Sequence, residues 1–273
     1  MRIESVTSAQ NPKIKEALTL QEKSKFRREK GLFIVEGRRE LQHCVNAGFN
    51  VRTLFICPEL TSDAPAQQII NIIMRANPQC YGIEIPSHLY NKLAYRGGTE
   101  GLIAEIEYQN KTLSDIELSK NPLVVVLESV EKPGNLGAIL RSADAAGADA
   151  VIICDPLTDI FNPNLIRSSI GAVFTTQVVA ASSEETREWL SKNSIQIYTA
   201  QLQDSEWYYD TDMTGGTALV MGTESTGLSK IWREAASSHI KIPMCGELDS
   251  LNVSVSAAIL LFEAVRQRKS SQI

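Results

Sequence analysis

The chain has 273 residues, 43% of them apolar and 22% charged, enough for about two domains with cores of their own and too apolar for wholesale disorder. Cys44, Cys57, Cys80, Cys154 and Cys245 are widely spaced and form no C-x-x-C pair, which argues against a disulfide framework and a zinc site, and no apolar run approaches the roughly 18 to 20 residues of a membrane span. The net charge of −5 hides an asymmetry, because residues 1–39 carry +5 and the remainder −10.

The basic residues of that N-terminal stretch include Lys13, Lys25, Arg27, Arg28, Arg38 and Arg39. Such a lobe on an acidic chain suits sequence-independent attraction to phosphates, although a charge run alone is equally a solvated helix face. Asn11-Pro12 opens a helix, with Asn as cap and Pro at the first helical position, and Ile14, Leu18 and Phe26 give it one apolar side. Strand 32–35, a helix from 38 to 47 stopped by Gly48, and strand 51–56 read as βαβ punctuation. Helices near 66–75 and 87–93 and a strand over 101–106 follow. The polar stretch 108–121, ending before Pro122, is the expected linker between domains 1–107 and 122–273.

The second domain alternates more regularly. Leu123-Val124-Val125-Val126-Leu127 is a continuous apolar run of the kind buried on both sheet faces. Helix 134–147, strand 150–154, helix 163–170, strand 176–180, helix 184–192, strands 195–200, 218–221 and 239–242, and a final helix 252–268 are expected after it. This alternation predicts an α/β fold with a mostly parallel sheet, preceded by a smaller α/β domain. Parallel sheets bind ligands at the carboxyl ends of their strands. Three segments follow strands in this way: Lys132-Pro133-Gly134-Asn135-Leu136-Gly137 running into Arg141, Gly222-Thr223-Glu224 with Gly227, and Ile242-Pro243-Met244 leading to Ser250-Leu251-Asn252-Val253-Ser254.

Each segment also has an ordinary explanation. Pro133–Gly137 can be a strand-to-helix turn, and Ser250, Asn252, Ser254 and Ser256 can be helix caps. Gly222–Ser229 has the glycine spacing of a phosphate-binding P-loop, but Leu228 stands where that loop needs lysine. No G-x-G-x-x-G follows the first strand of either domain, and His43, His88 and His239 have no partner at ligand spacing, so no metal is expected.

Taken jointly, N-x-G-x-x-x-R, G-x-E-x-x-G, I-P-M and S-L-N-V-S, in that order, resemble the signature motifs of the SpoU/TrmH branch of the SPOUT RNA 2′-O-ribose methyltransferases. Asn162-Pro163-Asn164 with Arg167–Phe174 is similar to the stretch between the first two motifs. Ser8–Pro12, Phe33–Gly37 and Glu100–Ala104 resemble the ribosomal-protein-like substrate-binding domain that often precedes the catalytic one. The resemblance implies a deep trefoil knot, a homodimer, a cytoplasmic enzyme, and S-adenosylmethionine held by Ala200, Gly222, Ile242, Met244, Ser250, Leu251 and Asn252. It implies catalysis by Arg141 with Asn135, Glu224, Ser250 and Asn252 nearby, and RNA contacts from the basic residues named above together with Arg141. A guanidinium stays protonated at neutral pH, so Arg141 reads as a group that binds phosphate and holds the hydroxyl. Ribosomal RNA is the favoured substrate, with transfer RNA and a catalytically weak RNA-binding paralogue as alternatives. The sequence departs from the family at Lys132, where an acidic residue is common, and at Glu100, where an uncharged polar residue is common.

Overall fold

The computed structural model describes residues 2–95, 100–223 and 227–270. The chain divides into two compact units, one formed by residues 1–110 with 159–175, the other by 111–158 with 176–273. A single linear boundary cannot express the membership of 159–175.

The first unit runs β1 (Arg2–Ser5), α1 (Pro12–Glu22), α2 (Ser24–Lys30), β2 (Leu32–Glu36), α3 (Arg38–Asn46), β3 (Val51–Ile56), α4 (Ala64–Ala76), β4 (Tyr81–Glu84), α5 (Ser87–Leu93) and β5 (Leu102–Glu107). Asn11 caps α1 as its sequence suggests, its Oδ1 accepting from the Lys13 N–H at 2.8 Å. The single basic helix expected there is broken into two by the extended backbone of Lys23. The sheet order is β1-β4-β3-β5-β2, with β5 antiparallel to both β3 and β2. β2-α3-β3 is therefore not a βαβ pair of neighbours, because the fully apolar start of β5 inserts between the two strands. Strands β1 and β4 were not legible, being short and only partly buried.

Two layers of side chains cover this sheet. On one face Ile14, Ala17 and Leu20 of α1 and Leu89, Tyr90 and Leu93 of α5 pack on Ile34, Phe55, Ile83 and Ile103. An aromatic cluster forms the other layer: Phe33 stacks on Phe161 with centroids 4.2 Å apart, and Phe49, Tyr108 and Phe174 surround them. Phe161 and Phe174 belong to the 159–175 segment, which is why it sits with this unit. Buried beside them, the Arg27 Nε donates to Asp159 at 2.7 Å, and its Nη1 donates to the Leu20 and Gln21 carbonyls.

The second unit contains β6 (Leu123–Glu128), α6 (Pro133–Ala146) and β7 (Ala150–Cys154). The 159–175 excursion follows and carries α7 (Pro163–Ser168) and α8 (Ala172–Thr175). Then come β8 (Val178–Ala181), α9 (Ser183–Lys192), β9 (Gln196–Ala200), β10 (Glu206–Trp207), β11 (Thr217–Met221), α10 (Lys230–Ala235), β12 (Ser238–Lys241) and α11 (Val253–Ser270). The helix expected over 163–170 is shorter, because Ile170 and Gly171 take positive φ of 55° and 80°. All seven strands are parallel, in the order β10-β12-β9-β11-β6-β7-β8. Every residue of β6, β7 and β11 is buried, as the continuous apolar runs require. The register aligns Met221 with Leu127 and Ala200 with Ile240, so β12, β9, β11 and β6 end side by side.

Helix α11 is pinned near its end by polar groups. Gln267 accepts from the Met213 N–H at 2.8 Å and donates to the Thr211 carbonyl, while Arg268 donates to the carbonyls of Met213, Asn121, Pro122 and Gly215. Among the described residues no helix is long and apolar enough to cross a membrane.

The Arg27–Asp159 pair yields a stability test. Asp159→Ala leaves a buried guanidinium without its counter-charge, which should cost about 3–5 kcal/mol in chemical denaturation monitored by circular dichroism.

Candidate active site

The aligned strand ends lead into a cavity of ≈ 350 Å³, within the usual range for small-molecule sites. Ala200 at the end of β9, Gly222 after β11, Ile242 and Met244 after β12, and Ser250 and Leu251 before α11 all line it. These are six of the seven residues expected to hold the cofactor. Asn252, the seventh, does not line the cavity. Its Oδ1 accepts from the Ser254 N–H at 3.0 Å and the Ser254 hydroxyl at 2.6 Å, capping α11, and its Nδ2 donates to Asn135 Oδ1 at 3.2 Å. Asn252 thus ties the start of α11 to the first turn of α6.

Gly222 is shaped by a close backbone approach. A Cβ there would lie 2.4 Å from the Gly227 carbonyl oxygen and 2.9 Å from the Leu228 nitrogen, distances that no side chain tolerates. The Gly227 N–H donates to the Thr223 carbonyl at 3.0 Å, and Gly227 has a φ of +65°. Both glycines are therefore required by geometry. Glu224 lies outside the described residues.

Arg141 is exposed on α6, about one and two-thirds turns beyond Asn135, and among the described residues its side chain makes no hydrogen bond or ion pair. Its guanidinium is available to an external anion. Residues not foreseen also line the cavity, among them Gln201, Leu202, Gln203 and Lys241. Each lies at or just beyond a strand end, so the rule that parallel sheets bind at their carboxyl edge could have found them. Asp249 contributes a carboxylate and Arg233 and Lys241 two cationic groups to a wall that mixes apolar side chains with Gln201, Gln203 and Ser250.

The expected RNA contacts sort into two groups. Lys25, Arg28 and Arg39 are exposed and Lys13 is half-buried. Arg27 is buried and committed to Asp159, so it is a core residue of the first unit. Arg38 is committed as well: its Nη groups donate to Asp63 and to the Leu60 carbonyl, and its Nε donates to the Glu100 carbonyl at 3.0 Å. The Glu100 carboxylate in turn accepts from the Arg38 backbone N–H, so this departure from the family pattern is used internally. Their side chains explain loop and core structure, and sequence position alone could not separate them from the exposed cations, of which Lys25 pairs only with Glu29 on its own helix.

Among the described residues no group of three His, Cys, Asp or Glu side chains is placed to hold a metal ion. The arrangement left is a small-molecule cavity at the carboxyl edge of a parallel sheet, linked by Asn252 and Asn135 to a helix bearing an unengaged arginine.

Residues 122–262 match the SpoU rRNA Methylase family, and residues 11–104 match the MRM3-like substrate binding domain. The chain belongs to the SpoU rRNA methylase family. It is 30% identical over 250 residues to the 23S rRNA (uridine(2479)-2′-O)-methyltransferase of Streptomyces viridochromogenes, covering 89% of this chain and 85% of that one. It is 38% identical over 186 residues to the 23S rRNA (guanosine-2′-O-)-methyltransferase RlmB of Vibrio vulnificus (strain CMCP6), covering 66% and 75% of the two chains. The crystal structure of the SpoU methyltransferase AviRb from Streptomyces viridochromogenes in complex with the cofactor AdoMet superposes with a TM-score of 0.87 at 29% identity, covering 96% of this chain and 99% of that one.

The Gly222 contact provides a binding test. Gly222→Ala must displace the Gly227–Leu228 backbone, and S-adenosylmethionine affinity measured by calorimetry should fall at least about tenfold while far-ultraviolet circular dichroism is retained.

Proposed function

We propose that the protein methylates a ribose 2′-hydroxyl of ribosomal RNA, using S-adenosylmethionine, as a cytoplasmic homodimer. One observation carries the reading: the cavity gathers Ala200, Gly222, Ile242, Met244, Ser250 and Leu251 from separate loops, while Asn252 bonds Asn135 on the helix that bears Arg141. The lining suits the cofactor. Apolar side chains and closely approached backbone can receive a nucleoside, and Asp249 and Arg233 offer opposite charges to an amino-acid zwitterion.

When bound, S-adenosylmethionine supplies a methyl group made electrophilic by its sulfonium. The protein's part is to hold the ribose hydroxyl in line with it, and orientation of this kind can lower a barrier by several kcal/mol. We assign Arg141 to the phosphate beside the target ribose and to the 2′-hydroxyl itself. Asn135, Glu224, Ser250 and Asn252 complete the catalytic surroundings. A guanidinium that binds without accepting a proton leaves the hydroxyl proton to another acceptor.

The unit formed by residues 1–110 with 159–175 serves as the RNA-binding domain and the unit formed by 111–158 with 176–273 as the methyltransferase domain. Lys13, Lys25, Arg28 and Arg39 supply phosphate attraction. The homodimer is supported by the outer face of α11, where Val255 is 46% and Phe262 48% exposed, two large apolar side chains two turns apart. The family's trefoil knot is part of this reading, and the pinning of α11 by Gln267 and Arg268 is compatible with a helix held in place by the loop 211–217.

Transfer of labelled methyl from S-adenosylmethionine to unmodified ribosomal and transfer RNA, followed by nucleoside mass spectrometry, tests the reaction. A 2′-O-methyl nucleoside should appear in ribosomal RNA. Arg141→Ala should lose turnover at least about a hundredfold with cofactor affinity retained; an active variant would remove Arg141 from the site. Phe262→Arg should shift the species seen in analytical ultracentrifugation from dimer to monomer, because a charge replaces apolar contact area.

A further inference from the structure

The Gly227–Leu228 wall of the cavity is held from behind. Strand β6 ends in Glu128, a buried carboxylate beneath the strand ends. Its Oε2 accepts from the Ser229 backbone N–H at 2.8 Å, and its Oε1 accepts from the Ser229 hydroxyl at 2.5 Å. Ser229 immediately precedes α10. One turn into that helix, the Arg233 Nε donates back to the Leu228 carbonyl at 3.0 Å.

A second polar layer lies under the first. The Ser183 hydroxyl is 2.6 Å from Asp155 Oδ2 and 3.3 Å from Glu128 Oε1, and it accepts from the Trp232 indole N–H at 3.1 Å. A hydroxyl has one proton to give, and the shorter contact takes it. Ser183 therefore serves Asp155, and the Glu128 carboxylate is left to the two donors of Ser229. Both bonds are charge-assisted, and the carboxylate that accepts them is buried while Ser229 itself reaches the surface.

Ser229 is one residue from Leu228, whose nitrogen lies against the bare Cα of Gly222. Slack in Ser229 would pass directly into that contact and into the cavity wall. The same glutamate ends the strand that precedes α6, but its carboxylate contacts are to Ser229 and Ser183. We propose that Glu128 is a positioning residue for S-adenosylmethionine binding, acting through Ser229 to hold Gly227–Leu228 against Gly222 in the shape the cofactor requires. The proposal rests on the cofactor reading of the cavity given above.

The test compares wild type, Glu128→Gln and Ser229→Ala in full-length protein by calorimetry with S-adenosylmethionine, by steady-state kinetics on ribosomal RNA and by thermal melting. Glutamine turns one acceptor into a donor facing Ser229, and the Kd and KM for the cofactor should rise at least tenfold, with a much smaller change in kcat at saturating cofactor and in KM for RNA. Ser229→Ala removes one donor, should raise the cofactor Kd about threefold to tenfold, and carries the test if Glu128→Gln does not fold. Glu128→Asp, which keeps the charge, should restore part of the affinity lost in the glutamine variant. Folded Ser229→Ala and Glu128→Gln proteins with cofactor Kd within twofold of wild type would overturn the positioning role alone. Equal losses in kcat, both KM values and melting temperature would overturn it in favour of a general stability role. Failure of wild type to bind S-adenosylmethionine would instead overturn the cofactor reading itself.

Discussion

The backbone of Gly227 and Leu228 lies so close to the Cα of Gly222 that a methyl group there would stand 2.4 Å from a carbonyl oxygen. This contact closes the turn after β11 and makes its backbone part of a cavity wall. It depends on the parallel sheet below, which brings the ends of β12, β9, β11 and β6 into one row. Loops after β9, β11 and β12 then meet without a dedicated binding domain. Since β6 and β11 are buried on both faces, their apolar packing fixes where the loops begin, and backbone groups with small residues can line the site at little entropic cost.

Polar contacts refine what the sheet places. Asn252 uses one oxygen to cap α11 and its amide nitrogen to reach Asn135, so the cap of one helix also sets its distance to another. Gln267 and Arg268 anchor the far end of α11. Against this fixed background Arg141 stands exposed without a polar partner among the described residues, as a group intended for an outside anion would. In the first unit most of the effort is structural. Arg27 and Arg38 spend their guanidinium groups on Asp159 and Asp63, whereas Lys25, Arg28 and Arg39 are exposed.

Much of the second unit was legible because its strands are long apolar runs separated by glycine- and proline-marked turns. That the loops now lining the cavity belong together was legible through motif order rather than physics, since Ser250 or Gly222 taken alone reads as a cap or a turn. Short elements such as β1, β4 and β10 escaped because strands of two to four residues with mixed polarity carry no periodic signal. Arg27 was misplaced on the surface because its partner lies 132 residues away, in a segment that belongs to the other half of the sequence and packs with the first unit. Gln201, Leu202 and Gln203 were missed although Ala200 beside them was expected, because the carboxyl-edge rule was not carried past the last residue of β9.

The measurement that tests the account most directly is hydrogen–deuterium exchange with and without S-adenosylmethionine. Protection should concentrate in peptides covering 200–203, 222–228 and 242–251, whose residues Ala200, Gly222, Gly227, Ile242 and Ser250 line the cavity. Binding that protects other regions, or that leaves these three unchanged, would contradict a cofactor site built by the carboxyl edge of this sheet.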